Sequence, residues 1–168
     1  MSAITIRPAT IEDADAIWDI LQAIIVKGDS FAFAPDTPRE AMLGWWMGPD
    51  KHGYVAEVDG LVLGTFVLKD NQPGLGAHIA NAAYATSPAA GGKGIGYEMG
   101  AWSIQEAKRL GYRAMQFNIV VKSNQRAVRL WQRLGFEIIG EIPEAFNHVE
   151  NGLTNAYIMY QQINKLTN

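Results

Sequence analysis

A glycine-rich segment at residues 87–96 constrains the fold of this chain more than any other feature. It reads Ser-Pro-Ala-Ala-Gly-Gly-Lys-Gly-Ile-Gly and lies between a predicted strand and an amphipathic helix. Glycines let the backbone turn sharply and let a ligand approach the main chain closely. N–H groups that converge at a helix start suit a phosphate or pyrophosphate. The segment therefore predicts an anion site that opens a helix, with the charge of Lys93 nearby.

Three other interpretations of this segment have to be weighed. A tight turn without any ligand remains open, because glycine-rich turns are common. A Walker loop is disfavoured, since Lys93 is followed by Gly94 rather than by Ser or Thr. A dinucleotide fingerprint requires an acidic residue at the end of the next strand, but residues 120–122 read Val-Val-Lys.

The composition narrows the class of protein. The chain has 168 residues, 48% of them hydrophobic, which predicts a single domain over residues 1–168 with a substantial core. The net charge of −3, without a long basic stretch, argues against a nucleic-acid partner. The absence of cysteine excludes disulfides, thiolate catalysis and cysteine-based zinc sites.

Metal binding and membrane insertion are not expected. His52, His78 and His148 lie far apart and form no His-x-x-x-His pair, so we predict no metal site. The N-terminus lacks the basic and apolar regions of a signal peptide. No apolar run reaches the ~18 residues that a membrane helix needs. We therefore expect a cytoplasmic protein without a membrane partner.

Local patterns predict strands and helices in the first half of the chain. A short strand at residues 4–7 precedes a helix that Thr10 can cap and that ends at Gly28. Residues 37–40, Thr-Pro-Arg-Glu, predict a capping box with proline at the first helical position. The dipeptide Asp59-Gly60 between two apolar runs is a strong hairpin signal.

The second half changes character. After a strand at about 78–86 we predict a helix at about 94–110, a strand at 115–121 and a helix from Ser123 or Asn124. Two further strands are expected at 136–140 and 154–161. The order β-α-α-β-β-β-α-β-α-β-β indicates an α/β (α+β) fold in which helices cover a mixed sheet.

A second motif follows the glycine-rich segment at residues 124–136, which read Asn-Gln-Arg-Ala-Val-Arg-Leu-Trp-Gln-Arg-Leu-Gly-Phe. Residues 91–96 resemble the acetyl-CoA pyrophosphate loop of the GNAT superfamily of N-acetyltransferases, whose pattern is Arg/Gln-x-x-Gly-x-Gly/Ala. Gly91 replaces the usual Arg or Gln. Residues 124–136 resemble another signature of the same family, and the two motifs together cover about 78–140.

The resemblance implies a GNAT-type, largely antiparallel sheet of roughly six or seven strands flanked by about four helices. In this family the fourth strand splays from the fifth, and the pantetheine of acetyl-CoA, the acetyl donor, lies in the gap. The cofactor-binding residues implied here are Tyr84, Ala85, Thr86, Gly91, Gly92, Lys93, Gly94, Ile95, Gly96, Asn124 and Trp131.

The resemblance also implies a catalytic role for Asn124 beside its role as a helix cap. Backbone groups of residues 84–86 would bind the pantetheine, and one N–H would face the thioester oxygen. Such a donor is worth roughly 3 kcal/mol in the transition state. Trp131 stands where the family often has a tyrosine acid; an indole can donate a hydrogen bond but cannot serve as that acid. Trp131 is therefore expected to pack, with a contact to the cofactor.

No general base is evident. Asn81 stands where many relatives carry a carboxylate, which leaves Glu141, Glu144 and His148 as candidates in a predicted loop region. An amine that loses its proton to bulk water, or through a water relay, is an equal alternative.

Several segments are similar to fungal proline-analogue acetyltransferases, which acetylate cyclic imino acids: residues 63–66, 71–74, 78–82 and 117–124. This resemblance implies that Asn81 and Asn118 recognise the substrate carboxylate, and amide N–H groups suit that task. Buried asparagines can equally be satisfied by neighbouring backbone. Phe31, Phe33, Trp45 and Trp46 are expected to wall a small apolar pocket, with core packing as the expected role of at least one tryptophan.

The sequence thus predicts an enzyme that moves the acetyl group of acetyl-CoA to a small-molecule amine, such as an amino or imino acid. A protein or peptide N-acetyltransferase is the alternative within enzymes. A non-catalytic acetyl-CoA sensor stays open too, because a fold does not determine a function. A homodimer is compatible with each of these.

Overall fold

The computed structural model describes residues 3–164. In the described part, seven strands and four α-helices follow the predicted order: β1 Ile4–Pro8, α1 Ala14–Ile25, α2 Arg39–Trp46, β2 His52–Val58, β3 Leu61–Asp70, β4 Ile79–Thr86, α3 Ile95–Arg109, β5 Ala114–Val121, α4 Gln125–Arg133, β6 Glu137–His148 and β7 Gly152–Gln162. The predicted class, a mixed and mostly antiparallel sheet with helices, is confirmed.

The seven strands form one sheet in the order β1-β2-β3-β4-β5-β7-β6. Every neighbouring pair is antiparallel except β4 and β5, which run parallel. One core, with Phe66, Met99 and Met115, lies between the sheet and α3 and α4. The other, with Ile17 and Trp46, lies on the opposite face under α1 and α2. The sheet is therefore covered on both faces.

The parallel pair β4–β5 comes apart almost at once. Its register covers only Ile79 opposite Ala114 and Ala80 opposite Met115. Beyond that point β4 stays paired to β3 as far as Thr86, while β5 stays paired to β7. A gap therefore opens in the middle of the sheet, and the edge of β4 that faces it carries unpaired backbone groups.

The backbone alternation identifies the residues of β4 that face the gap. Asn71 N–H donates to the Ile79 carbonyl at 2.8 Å, and Ser87 N–H donates to the Leu63 carbonyl at 2.8 Å. In an antiparallel pair such residues alternate with residues whose polar groups point outward. The odd-numbered residues of β4 therefore bond to β3. Ala82, Tyr84 and Thr86 direct their N–H and C=O groups into the gap.

The hairpin signal is confirmed, because Asp59 and Gly60 both have positive φ, 51° and 78°, between β2 and β3. The predicted capping box of the second helix is wrong. Pro38 is the N-cap, not the first helical residue, and the Thr37 hydroxyl donates to the Ala34 carbonyl at 2.6 Å instead of capping α2. Local turn geometry thus outcompetes the cap that the sequence pattern suggested.

The last hairpin is longer than predicted. Strand β6 continues to His148 rather than ending near Gly140, and it bends where its register with β7 shifts, first between Ile138 and Gly140 and again between Ile142 and Phe146. The loop expected around Glu141 is thus part of a strand. Its bulges account for the weak alternation in the sequence.

A partly buried ion-pair network ties the start of α1 to the sheet. Asp13 is 7% exposed, and its carboxylate accepts two hydrogen bonds from Arg7 at 2.8 Å and one from Thr10 N–H at 2.7 Å. Arg7 also donates to Glu57 at 2.6 Å. The hydrogen bonds from Arg7 are the main reason that the pKa of Asp13 falls to about 2.

We expect Asp13→Asn to lower the free energy of unfolding by about 2 kcal/mol at neutral pH. The pKa of Asp13 is lowered on folding, so its contribution is complete above the unfolded pKa near 3.8 and disappears as the pH falls towards 2. Urea unfolding between pH 7 and pH 2 measures this, with Asp19→Asn on the exposed face of α1 as the control. Equal acid sensitivity in parent and Asp13→Asn would refute the assignment.

Candidate functional site

A cleft of about 1520 Å³ opens at the gap between β4 and β5. Its walls come from the α1–α2 loop, β4, the glycine-rich segment, the first turn of α3, β5, α4 and the β6–β7 turn. Of the predicted site residues, the cleft wall includes Phe31, Phe33, Tyr84, Thr86, Gly91, Gly92, Gly94, Ile95, Gly96, Asn124 and Trp131. Ala85, Lys93, Asn81 and Asn118 are not part of that wall.

The glycine-rich segment leaves open space above its backbone. A short 3₁₀ helix, Pro88–Ala90, leads into Gly92 and Gly94, whose φ angles of 73° and 74° only glycine adopts readily. A Cβ atom added at either glycine would meet nothing within 4 Å. Gly94 is the N-cap of α3, so the free N–H groups of the first turn face this space. The segment can therefore hold a pyrophosphate.

The sequence analysis missed three arginines of α4. Arg126, Arg129 and Arg133 are exposed, recur along one face of α4 and line the cleft. Within residues 3–164 none of them has a carboxylate partner; the Arg133 guanidinium lies 5.0 Å from the Tyr97 ring. The sequence signal that could have found them is the i, i+3, i+7 spacing, which brings side chains to one helix face.

The backbone alternation of β4 supports the predicted cofactor contact for two of its three residues, Tyr84 and Thr86, but not for Ala85. Tyr84 and Thr86 direct backbone groups into the gap, whereas those of Ala85 are directed to β3 and its side chain is buried on the α1 face. Ala82, which the sequence analysis missed, takes the third position on the gap edge. The edge therefore offers Ala82, Tyr84 and Thr86 to a ligand that lies along it.

An aromatic cluster forms the floor of the cleft. The Trp131 ring, 8% exposed, lies 4.7 Å from the rings of both Tyr84 and Phe117. Its indole N–H has no acceptor among the described residues. The Tyr84 hydroxyl lies 2.7 Å from Ser103 Oγ, which itself donates to the Gly100 carbonyl at 2.8 Å, so Tyr84 is the donor of that pair. Burial raises the pKa of Tyr84, so the hydroxyl stays protonated.

We therefore expect Tyr84→Phe to leave the pH dependence of kcat unchanged, because the hydroxyl is committed to Ser103. The lost hydrogen bond should lower the free energy of unfolding by about 1 kcal/mol. Paired pH–rate profiles and urea unfolding curves check this. A missing basic limb in the Tyr84→Phe profile would instead identify Tyr84 as a general acid.

Asn124 lies where β5 gives way to α4. Its Oδ1 accepts the Ala127 N–H at 3.2 Å, which is the cap that the sequence predicts. The other half of the amide, Nδ2, has no acceptor among residues 3–164, and Asn124 lines the cleft. One side chain can therefore cap the helix and still donate to a ligand.

At the other end, Phe31 and Phe33 line the cleft, and Trp45 and Trp46 stand behind them. Trp46 is buried, and its Nε1–H donates to Thr65 at 3.0 Å. Phe31 and Phe33 give this wall its apolar part, beside the polar residues Lys27, Asp29 and Ser30. The tryptophans belong to the core.

Asn81 and Asn118 lie outside the cleft wall and share one hydrogen-bond partner, Asn71. Both Nδ2 groups donate to Oδ1 of Asn71, at 3.1 and 2.8 Å, and Gln116 donates to Asn118 at 3.0 Å. They lie near the point where β4 and β5 part, and each Nδ2 keeps one further N–H. The predicted contact with a substrate carboxylate remains a prediction.

The three candidate bases have different surroundings. Glu141 accepts hydrogen bonds from Lys122 and Asn155 at 2.7 Å, which lower its pKa, with that from Asn155 the larger effect. Neither Glu141 nor Glu144 lines the cleft, whereas His148 does. Only His148 therefore stands where it could contact a bound acceptor.

Two negative findings hold for residues 3–164. No group of three or more histidine, aspartate or glutamate side chains there is arranged to hold a metal ion. None of the helices combines the length and the apolar character needed to cross a bilayer.

Solved structures share this fold over nearly the whole chain. A GCN5-related N-acetyltransferase from Kribbella flavida is 39% identical, with a TM-score of 0.90 over 95% of this chain and 98% of that chain. The structure of yncA from Salmonella typhimurium with its cofactor acetyl-CoA is 24% identical, with a TM-score of 0.86 over 99% and 98%. The second likeness bears on the fold alone.

The N-acetyltransferase aca1 of Schizosaccharomyces pombe is 37% identical over 98 residues, which is 58% of this chain. The match spans about half of that protein, 47% of its length. The sequence model of the acetyltransferase (GNAT) family matches residues 15–136, well over half of the chain. This range includes both motifs, the gap edge of β4 and the arginine face of α4. The chain therefore belongs to the GNAT family of acetyltransferases, which take their acetyl group from acetyl-CoA.

Proposed function

We propose that this protein transfers the acetyl group of acetyl-CoA to the amine of a small molecule, an amino or imino acid, and that residues 1–168 act as one acetyltransferase domain. The observation that carries the proposal is the continuity of the cleft. It joins a glycine loop and three arginines at one end to a pocket at the other that Phe31 and Phe33 line together with polar side chains. The unpaired edge of β4 runs between them.

Donor binding follows from the open space and the charges. Backbone N–H groups around Gly92 and Gly94 hold the pyrophosphate, while Arg126 and Arg129 supply the positive charge that Gly91 forgoes. Acetyl-CoA supplies an activated thioester. Ala82, Tyr84 and Thr86 pair their backbone groups with the amides of the pantetheine, as a neighbouring strand would.

The transfer step relies on positioning and on preorganised donors. A β4 N–H directed into the gap stabilises the negative charge that develops on the thioester oxygen. The free Nδ2–H of Asn124 adds a second donor at the junction of β5 and α4. Holding the neutral amine close to the thioester carbon supplies much of the remaining rate.

The protons need no dedicated acid. Neither Trp131 nor Tyr84 can protonate the departing thiolate. The indole N–H of Trp131 can donate a hydrogen bond but does not give up its proton, and the Tyr84 hydroxyl is bound to Ser103. A thiolate is a good leaving group, so water suffices as its proton source. The ammonium form of the amine loses one proton to water before the attack, and the nitrogen gives a second proton to water as the tetrahedral intermediate collapses to the amide.

The form of the acceptor end supports a small acceptor over a protein chain. Phe31 and Phe33 line one side, and the β6–β7 turn at residues 149–151 closes the other. Val149 N–H donates to the Gly28 carbonyl at 3.1 Å, which fastens this turn to the end of α1. An extended peptide would need an open groove here.

Release of free thiol from acetyl-CoA, measured over amino acids, imino acids, polyamines and N-terminal peptides, tests the proposal. We expect release with one or more amino or imino acids and none with peptides. Release with peptides alone would make the protein a peptide acetyltransferase. Acetyl-CoA binding without release for any acceptor would make it a sensor.

A further inference from the structure

The turn that closes the acceptor end carries a histidine without a role so far. His148 is the last residue of β6, is 8% exposed and belongs to the cleft wall. It packs edge to face against Phe146, with ring centroids 6.2 Å apart. A polar ring this buried at the edge of a cleft must have its two nitrogens accounted for separately.

One nitrogen is committed to the turn. His148 Nδ1 accepts the N–H of Glu150 at 3.1 Å and the N–H of Asn151 at 3.3 Å. A nitrogen that accepts hydrogen bonds cannot carry a proton, so the neutral ring carries its proton on Nε2. The backbone of the β6–β7 turn thus fixes the tautomer.

The other ring nitrogen, Nε2, is available to a ligand in the cleft. Among the described residues, Nε2 has no partner, and it lies on the ring edge opposite the turn. The turn itself is anchored, because Val149 N–H bonds to Gly28, a residue with a φ of 59° whose added Cβ would lie 3.2 Å from the Val149 Cβ. The Nε2–H donor is therefore held in one place.

This geometry excludes one role and indicates another. To take a proton from the amine, Nε2 would need a free lone pair, and Nδ1 would then carry its proton against two turn N–H groups. His148 is thus unsuited to be the general base. A fixed N–H on a residue that lines a binding cleft is instead suited to recognise an oxygen atom.

We propose that His148 is a positioning and specificity residue whose Nε2–H donates to an oxygen of the acceptor, and that the acceptor therefore carries a carboxylate or carbonyl near its amine. The inference rests on the proposed function and deepens it. Acceptors without such an oxygen forgo this hydrogen bond and bind more weakly.

The charged side chains around His148 suit an acceptor that carries both a negative and a positive charge. Lys27 and Asp29 line this end from the end of α1 and the loop after it, and Glu150 lines it from the turn. Lys27 has no ion-pair partner within residues 3–164 and can attract a carboxylate. Asp29 and Glu150 attract the ammonium form of the amine before it loses its proton.

The test uses His148→Asn, because the asparagine Oδ1 can still accept the turn N–H groups while the Nε2–H donor is lost. The matched control is His78→Asn, an exposed histidine away from the cleft. Calorimetry in the presence of coenzyme A measures binding of proline and leucine, of prolinamide and leucinamide, and of pyrrolidine and 3-methylbutylamine. Prolinamide and leucinamide keep a carbonyl, whereas the two plain amines have no such oxygen.

We expect His148→Asn to weaken binding of the oxygen-bearing acceptors by on the order of 10-fold or more and to leave the plain amines unchanged. A loss for the acids alone assigns the oxygen to a carboxylate; a loss for acids and amides assigns it to a carbonyl. The pH profile of kcat should keep its shape.

Equal binding by parent and His148→Asn, or an equal loss for the plain amines, would overturn the role of His148 while leaving the proposed function intact. Thiol release with polyamines only, without binding of any acid or amide, would overturn both. A ¹⁵N spectrum that shows Nδ1 protonated would overturn the tautomer and with it the inference.

Discussion

Replacing Arg126, Arg129 and Arg133 together by alanine is expected to raise the KM for acetyl-CoA by on the order of 100-fold while kcat falls much less. The three side chains line the cleft and have no carboxylate partners among the described residues. Coenzyme A carries several phosphate charges, so this wall supplies binding energy far from the reacting atoms. Steady-state kinetics with varied acetyl-CoA measures the effect, which should shrink as salt is added.

S-acetylpantetheine, which lacks the nucleotide phosphates, separates phosphate binding from a general defect. Parent and triple variant should use this shortened donor with the same kcat/KM. Lys108→Ala, which removes an exposed charge near the end of α3 away from the cleft, is the control for net charge. A similar loss with both donors would mean that the arginines support the fold of α4 and not the phosphates.

Asn124→Asp is expected to lower kcat by about 100-fold with little change in stability. The aspartate can still accept the Ala127 N–H and cap α4, but it has no N–H to donate into the cleft. This substitution therefore tests the Nδ2–H donor of Asn124 separately from its role as a helix cap. Rates under saturating acetyl-CoA and acceptor, together with Tm values, measure the two effects.

Asn124→Ser keeps a cap and adds no charge, but its hydroxyl is too short to donate from the position of Nδ2, so its kcat should fall with that of the aspartate variant. Asn124→Ala, which loses cap and donor, should lose a further ~1 kcal/mol of stability. If both the aspartate and the serine variants turned over at the rate of the parent, Asn124 would be a helix cap only.

Local chemistry made the order of the elements predictable. The positive φ angles of Asp59 and Gly60, the cap at Asn124 and the glycine-bounded start of α3 depend on residues close together in the chain. Their patterns can be read without knowledge of the fold. The gap between β4 and β5 was expected only through the family resemblance.

Features that depend on pairing between distant segments could not be predicted from the sequence. Which residues of β4 face the gap depends on its register with β3, so Ala82 was missed and Ala85 was chosen although its backbone is directed to β3. The capping box at Thr37 failed because the nearer Ala34 carbonyl captured its hydroxyl. The extension of β6 was hidden by its bulges.

The asparagines show a different limit. Asn81, Asn118 and Asn71 lie far apart in the sequence, and only the fold brings their amides together at 2.8 and 3.1 Å. Residue type alone cannot distinguish an amide that binds a ligand from one that binds another amide. Residue type likewise leaves His148 as a candidate base, because its tautomer is set by hydrogen bonds from the N–H groups of the β6–β7 turn, which the sequence does not show.

The central claim, that acetyl-CoA lies along the free edge of β4, is tested most directly by residue-resolved amide hydrogen exchange. Ala82, Tyr84 and Thr86 direct their N–H groups into the gap, while Ala83 and Ala85 are bonded to β3. Saturating acetyl-CoA should slow exchange at Ala82, Tyr84 and Thr86 and leave Ala83 and Ala85 nearly unchanged. Calorimetrically proven binding without added protection at these three amides would contradict the account.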